Sequence, residues 1–253
     1  MKNKPATINN VLFISDMHCP YQHKDALTFL KALHEKYKFG RIIGLGDELD
    51  YHAMSFHDHH PDLDSAGSEL QKGREVLLEL WRMFPIIEWV ESNHGSMAYR
   101  KASHNGVPRH LILGYREAIF GEKTKDGSTI LPHGRGIGWT WQQSLTIDLN
   151  NGQKCKVHHG MSVSTRRNVE QAGMAFVQGH HHGTFEIVYH GTPEYLNWGI
   201  TAGCLIDDES LAFGYNKNTI KRPVIGCAGY VNGYPILFPM KLNNKGRWIG
   251  VLP

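Results

Sequence analysis

Aspartate, histidine and asparagine side chains form five short clusters along this chain, and these residue types bind divalent metal ions and move protons. Histidine is abundant, with 17 among 253 residues. Each cluster alone is a weak signal, because a buried histidine is more often a hydrogen-bonded core residue and an aspartate after a strand is more often a helix cap. The clusters are Asp16-x-His18, Gly46-Asp47-x-x-Asp50, Asn93-His94, His158-His159-Gly160 and Gly179-His180-His181-His182.

Each cluster follows a segment that reads as a strand. A β-branched and aromatic run over 11–15 predicts a first strand, and RIIGLGD and IIEWVESN predict two more. Apolar residues at helical spacing predict helices over 23–38 and 70–84 between these strands. Alternating strands and helices indicate an α/β fold, which places its ligand site at the carboxyl ends of its strands.

The second half of the chain changes character. Strand-like runs flank Asn151-Gly152, a strong hairpin signal, and AFVQGHHHG and FEIVYH are further short strands. From Pro223 to Pro253, apolar runs alternate with turn residues, as is typical of all-β structure. With no repeat or linker, residues 1–253 are expected to form a single domain. The prediction is an α/β fold whose two-sheet β-sandwich core is flanked by helices, with mixed sheets and an all-β C-terminal part.

Composition excludes several classes of protein. A net charge of +3 gives no strong footprint for duplex nucleic acid or a membrane surface. The apolar runs are far shorter than the roughly 20 residues of a membrane helix, and no signal core follows the first residues. We therefore expect a cytoplasmic protein. Its scattered cysteines, without a C-x-x-C pair, are expected to be reduced thiols. They are Cys19, Cys155, Cys204 and Cys227.

The order D-x-H, G-D-x-x-D, N-H, H-G, G-H-x-H resembles the calcineurin-like metallophosphoesterase superfamily. The resemblance extends from residue 16 to residue 182, about two-thirds of the chain. It implies a four-layer αββα fold with two divalent metal ions, about 3.5–4 Å apart, that clamp the attacking and leaving oxygens of a phosphoryl displacement. The mixed ligands favour manganese, with Fe, Zn, Ni, Co or Mg as alternatives.

The resemblance also implies roles for individual residues. Asp16, His18 and His182 would hold one metal, and Asn93, His159 and His180 the other, with the Asp47 carboxylate bridging them. A hydroxide shared by the two ions would be the nucleophile for in-line attack, and His94 would protonate the departing alkoxide.

The sequence departs from the family pattern at three places. Gly95 stands where an acid usually follows the catalytic histidine, and Asp50 is the nearest candidate to replace that acid. Both His158 and His159 precede Gly160, and the family pattern favours His159. His181 takes the variable place in G-H-x-H, and strand alternation would turn it away from its two neighbours.

Other polar and aromatic residues around the motifs allow both a functional and a purely structural interpretation. Arg166 and Arg167, with Asp50, are candidate substrate-binding residues, although a solvated arginine pair is equally plausible. The basic run Arg100, Lys101, Arg109 and Arg116 could track a polynucleotide, or be ordinary helix-surface charge. The loop after Asp47 could extend the substrate cleft or recruit extra metal, or be an ordinary polar surface loop. Its residues are His52, His57, Asp58, His59, His60 and Asp62. Either base stacking or core packing would explain Trp139, Trp141 and Trp198.

The motifs also narrow the type of phosphoester. GDELDYH and ESNHG match neither protein serine/threonine phosphatases nor purple acid phosphatases. The chain looks most similar to small phosphodiesterases and nucleases, and its 204–239 tail loosely resembles phage and prophage members. A metal-dependent phosphodiesterase acting on DNA, RNA or a nucleotide is the leading hypothesis. The alternatives are a phosphomonoesterase, a cyclic-nucleotide phosphodiesterase, and a binding module that keeps the fold with weak catalysis.

Overall fold

The computed structural model describes residues 10–55, 60–123, 130–131, 138–213 and 222–253. The strands are β1 (Val11–Ile14), β2 (Arg41–Gly44), β3 (Ile87–Val90), β4 (Glu122–Lys123), β5 (Ile130–Leu131), β6 (Trp139–Gln142), β7 (Leu145–Asp148), β8 (Lys154–His158), β9 (Ala175–Gln178), β10 (Phe185–Gly191), β11 (Leu196–Ala202), β12 (Gly226–Val231) and β13 (Tyr234–Pro239). The α-helices are α1 (Ala26–Tyr37), α2 (Ala66–Met83), α3 (Met97–His104), α4 (Tyr115–Phe120) and α5 (Thr165–Ala172), and short 3-10 turns cover His52–Met54 and Arg109–Leu111.

The strands form two large mixed sheets. The first has six strands in the order β13-β12-β1-β2-β3-β6, and the second has five in the order β10-β11-β9-β8-β7. In the first sheet, β1, β2, β3 and β6 are parallel, β12 pairs antiparallel with β1, and β13 pairs antiparallel with β12. In the second, β8, β9 and β11 are parallel, and β7 and β10 are antiparallel edges. The carboxyl ends of the central parallel strands thereby provide the edges at which the clusters lie.

Strand β1 shows how side chains divide between the layers. Its four residues are all buried, and successive side chains point to opposite faces. Val11 and Phe13 join the core between the sheets, which also holds Val157 and Val177 of the second sheet. Leu12 and Ile14 join the core under the helices. A strand buried on both faces needs a continuous apolar run, as this sequence has.

Helices cover the outer face of each sheet. Leu30 and Leu33 of α1 and Leu77 and Leu80 of α2 are fully buried in the core on the first sheet. On the second sheet, Val169 of α5 packs against Gly199 of β11 so closely that a Cβ atom at Gly199 would overlap it. The predicted α/β architecture of two mixed sheets flanked by helices is confirmed.

Several local predictions are also confirmed. The runs around Asn151-Gly152 form the antiparallel pair β7–β8, with Gly152 at φ +82°. Residues 222–253 contain β12 and β13 and no helix. All four cysteines are free and buried. Core packing is the correct reading for two tryptophans, because Trp139 is 1% exposed and Trp198 is 3% exposed.

One strand prediction is wrong at its end. The segment AFVQGHHHG was expected to continue as a strand through the histidines, but β9 stops at Gln178. His180 has φ +66°, and the amide of His182 donates to the carbonyl of His180. The histidines therefore lie in a tight turn, and alternation along a strand is not what directs their side chains.

Candidate metal centre

The five clusters lie where five strands end. Asp16 follows β1, Asp47 follows β2 and Asn93 follows β3 in the first sheet. His159 directly follows β8 and His180 follows β9 in the second sheet. Both sheets therefore contribute side chains to one site, as the sequence predicts for the edge where the strands end.

Four residues of the clusters have left-handed backbone conformations that non-glycine residues rarely adopt. The φ angles are +45° at Asp16, +49° at His18, +50° at Asp47 and +66° at His180. This conformation costs roughly 1–2 kcal/mol for a residue with a Cβ atom, and it is concentrated at functional sites. The sharp turns bring each side chain from the strand end into the shared site.

Asp16, His18 and His182 form the first group of possible metal ligands, with one ligand atom from each residue within 4.8 Å of the others. Nε2 of His182 lies 3.4 Å from Oδ1 of Asp16 and 3.2 Å from Nε2 of His18. The Asp16 carboxylate is fully buried and accepts hydrogen bonds from the Ser15 hydroxyl and the His180 amide. These bonds fix its orientation toward the two histidines.

Asp47, His159 and His180 form the second group, again within 4.8 Å. Nε2 of His159 lies 3.2 Å from Nδ1 of His180 and 2.7 Å from Oδ1 of Asn93. Nδ1 of His159 donates to the Leu45 carbonyl at 2.7 Å. This bond points Nε2 of His159 into the group.

Asp47 lies between the two groups. Its Oδ2 is 3.5 Å from Nε2 of His18 in the first group and 3.2 Å from Nε2 of His159 in the second. Its Oδ1 accepts a hydrogen bond of 3.2 Å from the His94 amide. The carboxylate is 2% exposed and contacts both groups, which is the position that a bridging ligand requires.

His94 and Asp50 lie beside the first group. Nδ1 of His94 donates to the backbone carbonyl of Asp50, which leaves Nε2 as the atom available to a substrate. The Asp50 carboxylate is 3% exposed and accepts from Nδ1 of His18 at 2.6 Å. A third group of possible ligands consists of His18, Asp50 and His94. In this third group, Nδ1 of His18 and Nδ1 of His94 both already donate to Asp50, so neither is available to a metal ion.

The buried charges shift each other's protonation. Burial favours the neutral form of Asp16 and Asp47, but hydrogen bonding to His182 lowers the pKa of Asp16, and the charge of His159 holds the pKa of Asp47 well below its usual value. Burial opposes charge on His159 and His94 too. At His159, Asp47 together with Asp16 and the Leu45 carbonyl outweighs burial and raises the pKa to about 9. At His94, Asp47 and Asp50 together outweigh burial and raise the pKa. The carboxylates are therefore ionised.

The donor set suits a pair of divalent metal ions. Nδ1 of His18 and Nδ1 of His159 each donate to a fixed oxygen, so both Nε2 atoms can present a lone pair to a cation. Each group also contains two imidazole nitrogens only 3.2 Å apart, close enough to face one cation. Imidazole, carboxylate and amide donors together favour transition metals over calcium.

Two clefts open onto this site and share Asn93 and His180. One, of about 270 Å³, is lined by His18, Asp47, His94 and residues of the Gly179–Gly183 turn. The other, of about 390 Å³, extends past His158, Gln143, Ser96 and Glu91. A substrate bound near Asn93 and His180 would therefore have space for groups in two directions.

The structure places the remaining candidates elsewhere or with other tasks. Arg166 and Arg167 are exposed in the first turn of α5, and neither lines the two clefts. His158 is half-buried, its Nδ1 accepts from the Gly160 amide, and it lines the larger cleft. The His57–His59 part of the predicted histidine loop lies outside the described residues, and His60 is exposed.

Sequence reasoning missed the backbone partners of the histidines. The carbonyls of Leu45 and Asp50 orient His159 and His94, and any residue type could supply them. It also missed the meaning of Gly179, where a Cβ atom would overlap the Asp16 carboxylate. The sequence signal for this contact is the glycine of G-H-x-H, because a glycine often stands where another group must approach the backbone closely.

Comparison with solved structures gives several distant likenesses. YfcE, a phosphoesterase from E. coli, is 12% identical over 95% of this chain and 96% of its own, with a TM-score of 0.46. Vps29 from Chaetomium thermophilum is 9% identical over 96% and 93%, with a TM-score of 0.45. Vacuolar Protein Sorting 29 from Cryptosporidium parvum is 13% identical over 94% and 93%, with a TM-score of 0.43.

No family model matches the chain, and no curated protein matches its sequence. Among the described residues, no helix combines the length and apolar character needed to cross a lipid bilayer.

Proposed function

We propose that this protein is a dinuclear metal-dependent phosphodiesterase of the calcineurin-like metallophosphoesterase superfamily, acting on a nucleic acid or a nucleotide. The position of Asp47 carries the proposal. One carboxylate oxygen lies 3.5 Å from His18 and 3.2 Å from His159, so a single aspartate joins two groups of metal ligands. Buried carboxylates and imidazoles in this arrangement have no comparable use in packing a core.

The residues that would hold the metals follow from the two groups. Asp16, His18 and His182 would bind one ion, and Asn93, His159 and His180 the other, with Asp47 shared between them. When bound, two divalent ions would activate water and neutralise the phosphoryl oxygens. Manganese is our first choice, because the ligand set mixes oxygen and nitrogen donors.

His94 has the geometry of a general acid. Its Nδ1–H is held by the Asp50 carbonyl, so a proton on Nε2 would face the cleft that His94 lines. In the reaction, water adds its oxygen to phosphorus and releases one proton to solvent, and the P–O ester bond breaks. The departing alkoxide takes the proton from Nε2, which solvent then reprotonates. Although Gly95 stands where the family usually has an acid, His94 still has an orienting partner, because the Asp50 backbone carbonyl supplies one.

The two clefts favour a diester over a monoester. A phosphodiester carries organic groups on two of its oxygens, and the clefts that meet at Asn93 and His180 offer a place for each. A phosphomonoester would leave one of them empty. A cyclic nucleotide remains a diester that meets the same requirement with a single nucleoside.

Metal analysis and one model substrate test the proposal. Protein purified without a chelator should carry close to two metal ions per chain, and it should hydrolyse bis(p-nitrophenyl) phosphate with added Mn²⁺. His94→Ala should lower kcat by about 10²–10⁴-fold, while the control His190→Ala, on β10 beside Glu170, should not. Metal-free, inactive protein would favour a binding module, and faster turnover of p-nitrophenyl phosphate would favour a monoesterase.

A further inference from the structure

The region that follows His94 along the chain is attached directly to the site. Helix α3 begins at Met97, and Nη2 of Arg100 donates to the Asn93 carbonyl at 2.9 Å. The Ser96 hydroxyl donates to the same carbonyl at 3.0 Å, and Ser96 lines the larger cleft. We call residues 97–113, which contain α3 and the Arg109–Leu111 turn, the basic strip. The strip therefore begins directly beside the wall of the site and contacts it through Arg100.

The strip lies within a segment whose Asp, Glu, Lys and Arg side chains are all basic. From Ser92 to Arg116 there are four arginine or lysine residues and no aspartate or glutamate. The whole chain has 27 basic and 24 acidic residues, so the remaining residues have a formal net charge of −1. This segment begins at the candidate metal centre, so it offers positive charge where a polyanion would approach the site.

The strip is also exposed along most of its length. Every residue from 103 to 111 is exposed. Leu111 is 69% exposed and Tyr99 is 39% exposed, and both lie among the cations. The Arg109 guanidinium lies 5.0 Å from the centre of the Tyr99 ring, which fixes an aromatic ring and a cation side by side.

Exposed aromatic and apolar side chains among cations suit a single-stranded nucleic acid. Its phosphates pair with arginines, and its unstacked bases can lie on tyrosine rings, a contact worth roughly 1–3 kcal/mol per base. A duplex keeps its bases stacked inside and would use only the charges.

We infer that the basic strip binds single-stranded DNA or RNA and leads it into the metal centre, with Arg100 and Arg109 contacting backbone phosphates. This inference rests on the proposed phosphodiesterase function and narrows its substrate to a polymer. Arg100 marks the point where the strand enters the site, and Tyr99 with Arg109 holds nucleotides farther along the strip.

Direct binding tests the strip separately from catalysis. The full chain is titrated, with EDTA present, into a fluorescent oligothymidylate of about 12 nucleotides, and anisotropy is followed at several salt concentrations. Arg100→Gln/Arg109→Gln should bind at least about tenfold more weakly, with a salt slope shallower by about 1.4, because two phosphate contacts are lost. The matched control Lys31→Gln/Arg82→Gln removes the same charge from α1 and α2 and should bind like the unaltered protein.

The single variant Arg109→Gln controls for the chance that losing Arg100 disturbs the metal centre itself. Arg100 contacts the backbone carbonyl of Asn93, a proposed metal ligand, whereas Arg109 contacts the Tyr99 ring. Loss of affinity in Arg109→Gln would therefore not come from displacing Asn93. An unchanged affinity for Arg109→Gln, an equal loss in the control, or equally tight binding of a duplex would overturn the inference. Hydrolysis of bis(p-nitrophenyl) phosphate without oligonucleotide binding would refute the strip while leaving the phosphodiesterase proposal intact.

Discussion

Nδ1 of His94 donates its proton to the backbone carbonyl of Asp50. The Asp50 carboxylate, 3.7 Å from the same nitrogen, makes its short hydrogen bond of 2.6 Å to His18 instead. One residue thus positions two histidines, the candidate acid through its main chain and a candidate metal ligand through its side chain. This division explains how a chain with Gly95 after His94 can still orient that histidine.

The division predicts what Asp50→Asn does. The carbonyl remains, so His94 keeps its partner, but the bond to His18 loses its charge. Apparent metal affinity should fall by about 10–100-fold, as is typical when an outer partner of a ligand is altered, while kcat at saturating Mn²⁺ changes little. Activity measured against Mn²⁺ concentration separates the two effects. A fall in saturated kcat as large as that of His94→Ala would show instead that the carboxylate serves His94.

Asp47→Asn and His94→Ala should differ in metal content. Asp47 contacts both ligand groups, so its neutral analogue should lose both ions, whereas His94→Ala should keep close to two. Both variants should be inactive for these different reasons. Metal content after gel filtration, measured by mass spectrometry on the folded fraction, is the readout. Equal metal loss in both variants would contradict the roles proposed for them.

Gly179→Ala should damage the first ligand group. The added Cβ atom would overlap the buried Asp16 carboxylate and lie 2.6 Å from the Ser15 hydroxyl oxygen, so Asp16 must move. We expect at least about tenfold weaker metal binding, on the scale of other changes around a ligand. Gly67→Ala is the matched control, because no atom lies within 4 Å of its added Cβ. Calorimetric titration with Mn²⁺ compares the two, and similar affinities would contradict the packing argument.

Part of this site could be predicted because strands with buried faces leave a clear sequence signal. Asp16, Asp47 and Asn93 follow apolar runs of β-strand character, and the carboxyl ends of neighbouring parallel strands must meet at one edge. The contact between the two sheets through Val157 and Val177 brings His159 and His180 to the same place. Position at a strand end therefore conveyed more than the identity of any one residue.

The rest depends on features that leave no residue-type signal. The Asp50 carbonyl contacts His94 next to Tyr51, which turns the chain at φ +54°. Both the turn and the carbonyl belong to the backbone, so no residue type in the sequence indicates them. His180 and His182 were expected on one face of a strand, but a turn directs them to different ligand groups. Helices α3, α4 and α5 have at most eight residues each, too few for helical periodicity to emerge.

The C-terminal segment is attached to the start of α1 by a charged contact whose contribution should depend on pH. Arg247 donates to the Asp25 carboxylate at 2.9 and 2.5 Å, and the Trp248 amide adds a bond of 2.9 Å. The hydrogen bonds from Arg247 outweigh burial and lower the pKa of Asp25 to about 2 in the folded protein. In the unfolded chain this pKa returns to about 4.

Because the folded pKa is the lower one, ionised Asp25 stabilises the fold fully above pH 4 and progressively less as the pH falls through 2. Arg247 is more than half exposed, so solvent screening limits the loss in Asp25→Asn at pH 7 to about 1 kcal/mol. Urea unfolding at pH 7 and at pH 3 should show the difference between the variant and the original chain shrinking at the lower pH. Glu35→Gln, which breaks the exposed pair with Lys31 at 4.0 Å, should change the unfolding free energy by less than about 0.5 kcal/mol. A difference for Asp25→Asn that is the same at both pH values would mean that the carboxylate acts through packing rather than charge.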